Sequence, residues 1–248
     1  MSRFLGIIPA RYASSRFPGK PLAQLGNKPM IRWVYESASQ VFDHLVVATD
    51  DDRIYAAVED FGGKVVMTSP DHRSGTERCA EAYQLCQEQS VEKFSHVVNI
   101  QGDEPLLEEE QLRSLISCLE IPGTGIATLI QPLSNLSELN NPNVVKVVVS
   151  RSLQALYFSR SPIPYVRAQS PDSTGEVPTF FTHIGLYGFR TEVLEQLVKL
   201  PPSVLELSES LEQLRWIENG FSIQTKISHL PSIGVDTPED LENISSQF

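Results

Sequence analysis

The sequence contains no uninterrupted apolar run approaching the ~18 residues needed to cross a bilayer, and the opening MSRFLGIIPA has too short an apolar stretch for a secretory leader. Both absences point to a cytoplasmic protein with no membrane partner. Cysteine is scarce: Cys79, Cys86 and Cys118 are odd in number and lack a C-x-x-C spacing, which excludes a disulfide framework and a structural zinc site. Cys79 and Cys86, seven apart, have the spacing of one buried helix face. Excess positive charge is also missing. A net charge of −11 excludes a nucleic-acid partner, which would need a basic footprint. The dinucleotide fingerprint G-x-G-x-x-G is absent, which removes the dehydrogenases, and Gly19-Lys20 is followed by Pro21 rather than by the Ser/Thr of a Walker A loop. No internal repeat, low-complexity tract or long linker divides the chain.

What the chain does have is GIIPARYASSRFPGKPL, starting at Gly6: a short apolar run that breaks at Pro9 into a loop carrying Arg11, Arg16 and Lys20. A strand that delivers such a loop at its carboxyl end occupies the place where open α/β sheets bind ligands. Polyphosphate would be held there by cationic side chains and backbone N–H groups. A solvated surface turn is the alternative for any one of these cations.

The rest of the first half alternates. Met30, Trp33, Val34 and Ser37 recur at helical spacing after Asn27 and Pro29, and residues 45–49 form an apolar strand. A helix from Asp52 with Ile54, Ala57, Val58 and Phe61 on one face stops at Gly62-Gly63, before a strand over 64–68. That order predicts a parallel sheet with right-handed crossovers. Ser74-Gly75-Thr76-Glu77 has capping-box spacing and opens a helix through Cys86. A strand over 96–100 then runs into Gln101-Gly102-Asp103-Glu104-Pro105, where a carboxylate at the tip of a buried strand needs a positive partner. A helix over 108–119 and strands over 126–130 and 144–149 extend the sheet.

From residue 153 the pattern changes. Strands over 155–158 and 182–189 flank a Pro- and Ser-rich stretch, 159–178, that is not a βαβ unit, so an antiparallel insertion over about 153–190 is expected. Helices over 191–199 and 208–220 and a strand over 222–226 follow. Asp236-Thr237-Pro238-Glu239-Asp240 then starts a last helix. Asp103 and Asp236 each end an apolar stretch at a loop. Two aspartates and three cations around one phosphate site fit metal-assisted transfer at phosphorus, whereas a Gly-Asp turn and a helix cap are their structural alternatives.

Pro9-Ala10-Arg11-Tyr12-Ala13-Ser14-Ser15-Arg16 with Pro18-Gly19-Lys20-Pro21-Leu22 resembles the signature of the 3-deoxy-manno-octulosonate (Kdo) cytidylyltransferases. The resemblance continues in order through ATDDDRI, DHRSGTER, NIQGDEP, NPNVVKVV, YFSRSPIPY, HIGLYGFR, LEQLR and GVDTPEDLE, with a weak patch near residues 167–180. It implies an α/β, Rossmann-like nucleotidyltransferase fold: a mostly parallel sheet flanked by helices, one domain over 1–248, with the smaller antiparallel insertion used for dimerisation. It also implies transfer of CMP from CTP to Kdo, an eight-carbon acidic sugar, releasing pyrophosphate and forming CMP-Kdo for lipopolysaccharide biosynthesis. The implied site comprises Arg11, Arg16 and Lys20 on the triphosphate, Asp103 and Asp236 as ligands of Mg2+, and Arg73, Ser74, Gly75 and Gln101 around the cytosine. Arg160, His183, Tyr187, Glu209, Glu212 and Gln213 match the sugar pocket. Ser74 as a helix cap, Glu212 as a solvated charge and His183 as a core histidine stand as alternatives. A related nucleotidyltransferase, sialate-like or specific for an 8-amino analogue of Kdo, is the competing function; a nucleotide-binding module without turnover would not need both aspartates.

Overall fold

The computed structural model describes residues 3–14, 16–167 and 179–248; Ser15 of the signature and residues 168–178 of the expected insertion lie outside the described residues. The first strand, β1 (Phe4–Ala10), is buried along most of its length and ends where the cationic loop begins. Beyond the loop come a two-residue hairpin, β2 (Gln24–Leu25) and β3 (Lys28–Pro29), and then α1 (Met30–Ser39). The predicted alternation follows: β4 (Leu45–Thr49), α2 (Asp52–Asp60), β5 (Val65–Met67), α3 (Gly75–Glu88), β6 (His96–Asn99), α4 (Glu109–Leu119) and β7 (Ile126–Pro132). Side-chain caps start these helices, the one at Ser74 where the sequence placed it. Asp51 accepts from the Arg53 N–H, Ser74 accepts from the Glu77 N–H, and the Glu108 and Gln111 side chains cap each other's backbone.

The second half holds β8 (Lys146–Val149), β9 (Ala155–Ser159) and β10 (Phe181–Arg190), then α5 (Thr191–Leu197), α6 (Val204–Glu209), α7 (Gln213–Glu218), β11 (Ile223–Ile227) and α8 (Pro238–Ile244). The main sheet runs β11-β7-β10-β6-β1-β4-β5. Pairings of β1 with β4 and β6, of β4 with β5, and of β7 with β11 are parallel. Only β10 runs against its neighbours in that order, antiparallel to both β6 and β7. The sheet is therefore mostly parallel, with helices packed on its two faces: one core cluster gathers Cys79, Tyr83 and Trp216, and the other Ile31, Val58 and Leu112.

Two expectations are revised. The segment 182–189 is not confined to an insertion: its second half fills the main sheet between β6 and β7, while only its start pairs with β8. The antiparallel branch is thus β8 and β9 attached to the outer end of β10, so β8 extends the same nine-stranded sheet as expected, but off its main path. A central strand must be apolar on both faces, and Ile184, Leu186 and Phe189 supply this together with a close approach at Gly188. A Cβ there would lie 2.3 Å from Leu119 Cδ1, so glycine lets α4 sit directly on the strand.

The single helix expected over 208–220 is two short helices. The Ser203 and Glu206 capping box starts α6 early, and Ser210 in the left-handed region (φ 51) turns the chain before α7. Arg215 on α7 then binds Glu206 on α6 through two hydrogen bonds, 2.5 and 2.7 Å, which locks the elbow.

Candidate active site

The loop after β1 is shaped by one residue with a positive φ. Gly19 (φ 73) donates its N–H to Tyr12 O, and a Cβ at this position would meet the Tyr12 ring at 3.0 Å. Any side chain would be strained there both by the backbone and by the ring. Tyr12 is in turn covered by the Arg53 guanidinium, 3.2 Å from the ring centroid. The turn at Gly19 feeds a short 3-10 helix, Lys20–Leu22, whose second residue Pro21 is buried, and this aims Lys20 inward.

Lys20 lands between the two aspartates. Its Nζ lies 2.6 Å from Asp103 Oδ2 and 3.4 Å from Asp236 Oδ1, and Arg16 Nη2 reaches the same Asp236 oxygen at 2.9 Å. The backbone explains how residues so distant in sequence meet. The Val235 N–H donates to Asp103 O at 2.9 Å, Val235 itself is buried with Leu25, Met30 and Ile244, and Ser232 Oγ donates to Glu104 Oε2 at 2.8 Å. The segment before α8 is thereby strapped along the loop after β6. Asp236 does not cap that helix: the Thr237 side chain accepts from the Asp240 N–H, and Asp240 accepts from the N–H groups of Asp236 and Thr237. Its carboxylate is left for the loop cations.

A cavity of about 310 Å³ opens at this point, lined by Pro9, Arg11, Arg16, Lys20, Arg73, Ser74, Gly75, Gln101, Asp103 and Asp236, and also by His72 and Arg78. Every residue expected on the triphosphate, the metal and the base is therefore in one wall. Five cations, Arg11, Arg16, Lys20, Arg73 and Arg78, face two carboxylates. A polyanion is the ligand such a balance favours. Gln101 Nε2 donates to Gly185 O on β10, which fixes its amide against the sheet.

None of the residues expected around the sugar lines that cavity. They cluster beside it in two groups. In one, Glu209 accepts from Ser159 Oγ (2.6 Å) and from the Arg160 N–H (2.9 Å), while the Arg160 guanidinium donates to the carbonyls of Glu209, Pro142 and Ser210. Lys146, fully buried, donates to the carbonyls of Asn141, Val144 and Arg160 and so holds this group together. In the other, Glu212 accepts from Ser74 Oγ (2.9 Å) and Thr76 Oγ1 (2.7 Å) at the start of α3. Ser74 therefore serves both as a helix cap and as a donor to Glu212, and Glu212 is not a solvated charge. Burial raises the Glu212 pKa, opposed by those two hydroxyls and by Arg215. Gln213 is buried at the first turn of α7.

His183 packs edge-on to Phe158 and against Tyr187, and its Nε2 shares a 2.9 Å hydrogen bond with Thr128 Oγ1. Loss of water pushes its pKa down to about 3, so the ring is neutral at ordinary pH and offers no charge to an acidic ligand. Tyr187 OH and Asn99 Oδ1, on residues paired in register across β10 and β6, are buried without a hydrogen-bond partner among the described residues. Orphaned polar atoms of this kind mark a place for a polar ligand or water.

Sequence reading missed Asn99, Thr128, Lys146, His72 and Glu104. The first three sit inside strands, where nothing in the apolar pattern distinguishes them from core positions. Glu104 follows Asp103 directly; burial pushes its carboxyl up to about 7, against the Ser232 hydrogen bond and with help from the charge of Asp103. Among the described residues no group of three or more metal-binding side chains occurs, and the aspartate pair is the donor set the cavity presents.

The low pKa of His183 has a consequence for stability. Between pH 6.5 and about 3 the unfolded chain binds a proton at this position and the folded chain does not, so stability falls as pH falls through that window. His183→Gln should flatten this part of a urea-midpoint against pH profile by up to one proton. An unchanged slope would mean that His183 is not held neutral.

Three comparisons bear on this geometry. Residues 5–227 match the family model described as Cytidylyltransferase. The chain is 52% identical over 246 residues to a 3-deoxy-manno-octulosonate cytidylyltransferase of Parabacteroides distasonis, covering 98% of this chain and 96% of the relative, and 53% identical to that of Bacteroides thetaiotaomicron, covering 97% and 96%. A solved CMP:2-keto-3-deoxy-manno-octonic acid synthetase complexed with CTP superposes with a TM-score of 0.90 at 41% identity, covering 99% of this chain and 98% of that one. A cytidylyltransferase of Leptospira borgpetersenii, 16% identical with a TM-score of 0.65, shares the fold. The chain belongs to the cytidylyltransferase family, among the 3-deoxy-manno-octulosonate cytidylyltransferases.

Proposed function

We propose that this protein is a Kdo cytidylyltransferase: it transfers CMP from CTP to the anomeric hydroxyl of Kdo, with loss of pyrophosphate, and so supplies the activated sugar for lipopolysaccharide biosynthesis in the cytoplasm. The observation that carries the reading is the convergence of Lys20, Asp103 and Asp236 in a cavity walled by cations. The sugar oxygen bonds to the α-phosphorus as the bond from that phosphorus to the departing pyrophosphate breaks. Phosphoryl transfer of this kind needs positioning and charge stabilisation more than covalent help from the protein. Arg11, Arg16 and Lys20 bind the triphosphate and neutralise the leaving pyrophosphate. Arg73, Ser74, Gly75 and Gln101 enclose the base.

The acceptor sits beside Tyr187 and Asn99, whose unpartnered atoms suit a hydroxyl-rich sugar. Neutral His183 and the ionisable Glu212 edge this place, while Arg160 supplies positive charge for the sugar's carboxylate. An aspartate pair set around one point fits Mg2+, which takes one or two carboxylates and completes its shell with phosphates and water. Asp103 and Asp236 would hold it, and the ion would polarise the α-phosphate and lower the barrier to ionising the sugar hydroxyl.

We also infer a homodimer formed through the antiparallel branch. Leu156 on β9 and Tyr165 and Val166 just beyond it are exposed, as are Val204 and Leu207 on α6, a concentration of apolar side chains typical of interfaces. Sedimentation at micromolar concentration should give a dimer; a monomer would overturn this part.

Pyrophosphate release should require CTP and Kdo together, and equal turnover with UTP and a sugar 1-phosphate would replace this reading with a different nucleotidyltransferase. Asp103→Asn and Asp236→Asn should each lower turnover by on the order of a hundredfold or more, with unchanged thermal melts. The double variant should be little worse than either single one, because groups that serve one ion fail together. Wild-type turnover by Asp236→Asn would remove it from the metal site.

A further inference from the structure

Apart from the two large clusters that cover the sheet faces, a smaller apolar cluster gathers Leu25, Met30, Val235 and Ile244. Phe17, Leu106 and Phe248 pack against it. Its members stand next to the site in sequence: Phe17 follows Arg16, Val235 precedes Asp236, and Leu106 comes shortly after Asp103. Each segment that brings a charge to the site therefore also sends an apolar side chain into this one cluster. The Val235 N–H, which donates to Asp103 O at 2.9 Å, joins two of those segments through the backbone.

An aromatic pair closes the cluster. The Trp33 indole is fixed twice, by donating from Nε1 to Leu25 O at 2.8 Å and by Lys28 Nζ, 4.2 Å over its ring. Phe248 lies against that ring, with centroids 4.7 Å apart and planes tilted by 60°. Phe248 also meets the turn between β2 and β3, where Gly26 (φ 61) leaves no side chain between them; a Cβ there would lie 3.3 Å from Phe248 Cβ. Among the described residues the segment after β11 contributes no further strand. Its placement rests on this cluster, on the Val235 N–H and on side-chain hydrogen bonds such as Ser232 to Glu104. A segment held in this way opens locally at lower cost than a strand of the sheet.

We propose that Trp33 and Phe248 are positioning residues for the reaction: by closing this cluster they set Asp236 against Asp103 and Lys20, and loosening the pair weakens ion binding at the site without unfolding the sheet. This rests on the reading of Asp103 and Asp236 as the ligands of Mg2+, and it names what fixes their spacing. A carboxylate whose segment is docked only part of the time binds an ion with an affinity reduced by the docked fraction. The coupling is reciprocal, so ligands that need the docked segment hold it down.

Phe248→Ala removes the aromatic pair and Phe248→Tyr keeps it. In Phe248→Ala the Val235 N–H should exchange with solvent about tenfold faster, the worth of one aromatic pair, while amides of β1 and β6 exchange as in the wild type. The Mg2+ concentration for half-maximal turnover should rise severalfold, with kcat at saturating Mg2+ kept within about twofold. Mg2+ with CTP, in the absence of the sugar, should slow Val235 exchange again. Trp33→Leu should act in the same direction as Phe248→Ala, and Phe248→Tyr should match the wild type throughout. Wild-type exchange at Val235 in Phe248→Ala, or faster exchange with an unchanged Mg2+ requirement, would overturn the proposal. Acceleration of all amides together would also overturn it, because the cluster would then belong to the global fold. Should Phe248→Ala not fold, Phe248→Leu is read by the same criteria. Wild-type turnover that does not depend on Mg2+ would instead overturn the metal-site reading beneath the proposal.

Discussion

The site depends on one ammonium group. Lys20 sits between Asp103 and Asp236, which are separated from it by 83 and 216 residues, and so joins the loop after β1, the loop after β6 and the segment before α8 at one point. Two carboxylates brought to one point repel, and one tends to take a proton unless positive charge is placed there. Lys20 and Arg16 provide that charge from the same loop. The cost of holding Lys20 mostly out of water is offset by the short bond to Asp103.

The first half of this fold was legible because it obeys two simple periods. Apolar strands over 45–49 and 96–100 and the helices from Asp52, Ser74 and Glu108 appear in the structure within a residue or two of where spacing, and at Ser74 capping chemistry, put them. The residues expected on the triphosphate, the metal and the base stood out because they lie in loops between recognisable elements or in motifs of the resemblance, and the structure gathers them in one cavity. Asp236 shows the limit of such reading. Asp-Thr-Pro allows either residue to cap α8, and only the tertiary contact with Lys20 and Arg16 decides that Thr237 does so.

The second half was less legible because its decisive pairings are long-range. Nothing in HIGLYGFR says that the strand will wedge antiparallel between two strands that run the same way; the smallness of Gly188 against Leu119 is the local trace of it. The elbow between α6 and α7 has the same origin, since a helical period continues through Leu211 and Leu214 while Ser210 and the Glu206 to Arg215 pair break the axis. Lys146 is the extreme case. A lysine within a β-branched run reads as a strand with one edge in water, yet its ammonium is buried on three carbonyls.

These two halves meet at Glu212, and that junction explains why the antiparallel strand matters to the chemistry. Ser74 lines the cavity, Thr76 stands just behind it at the head of α3, and both spend their hydroxyls on a carboxylate from the start of α7. Gln101 reaches across to Gly185, and Asn99 faces Tyr187 in register, so β10 braces the cavity wall from behind at these two points. A purely parallel order would have put a strand end with its own loop at this position. Running the strand the other way instead sets its length, with His183 and Tyr187, beside the cavity within the sheet. Backbone pairing on both sides then holds those side chains more rigidly than a loop could, which is what a transfer between two bound substrates requires.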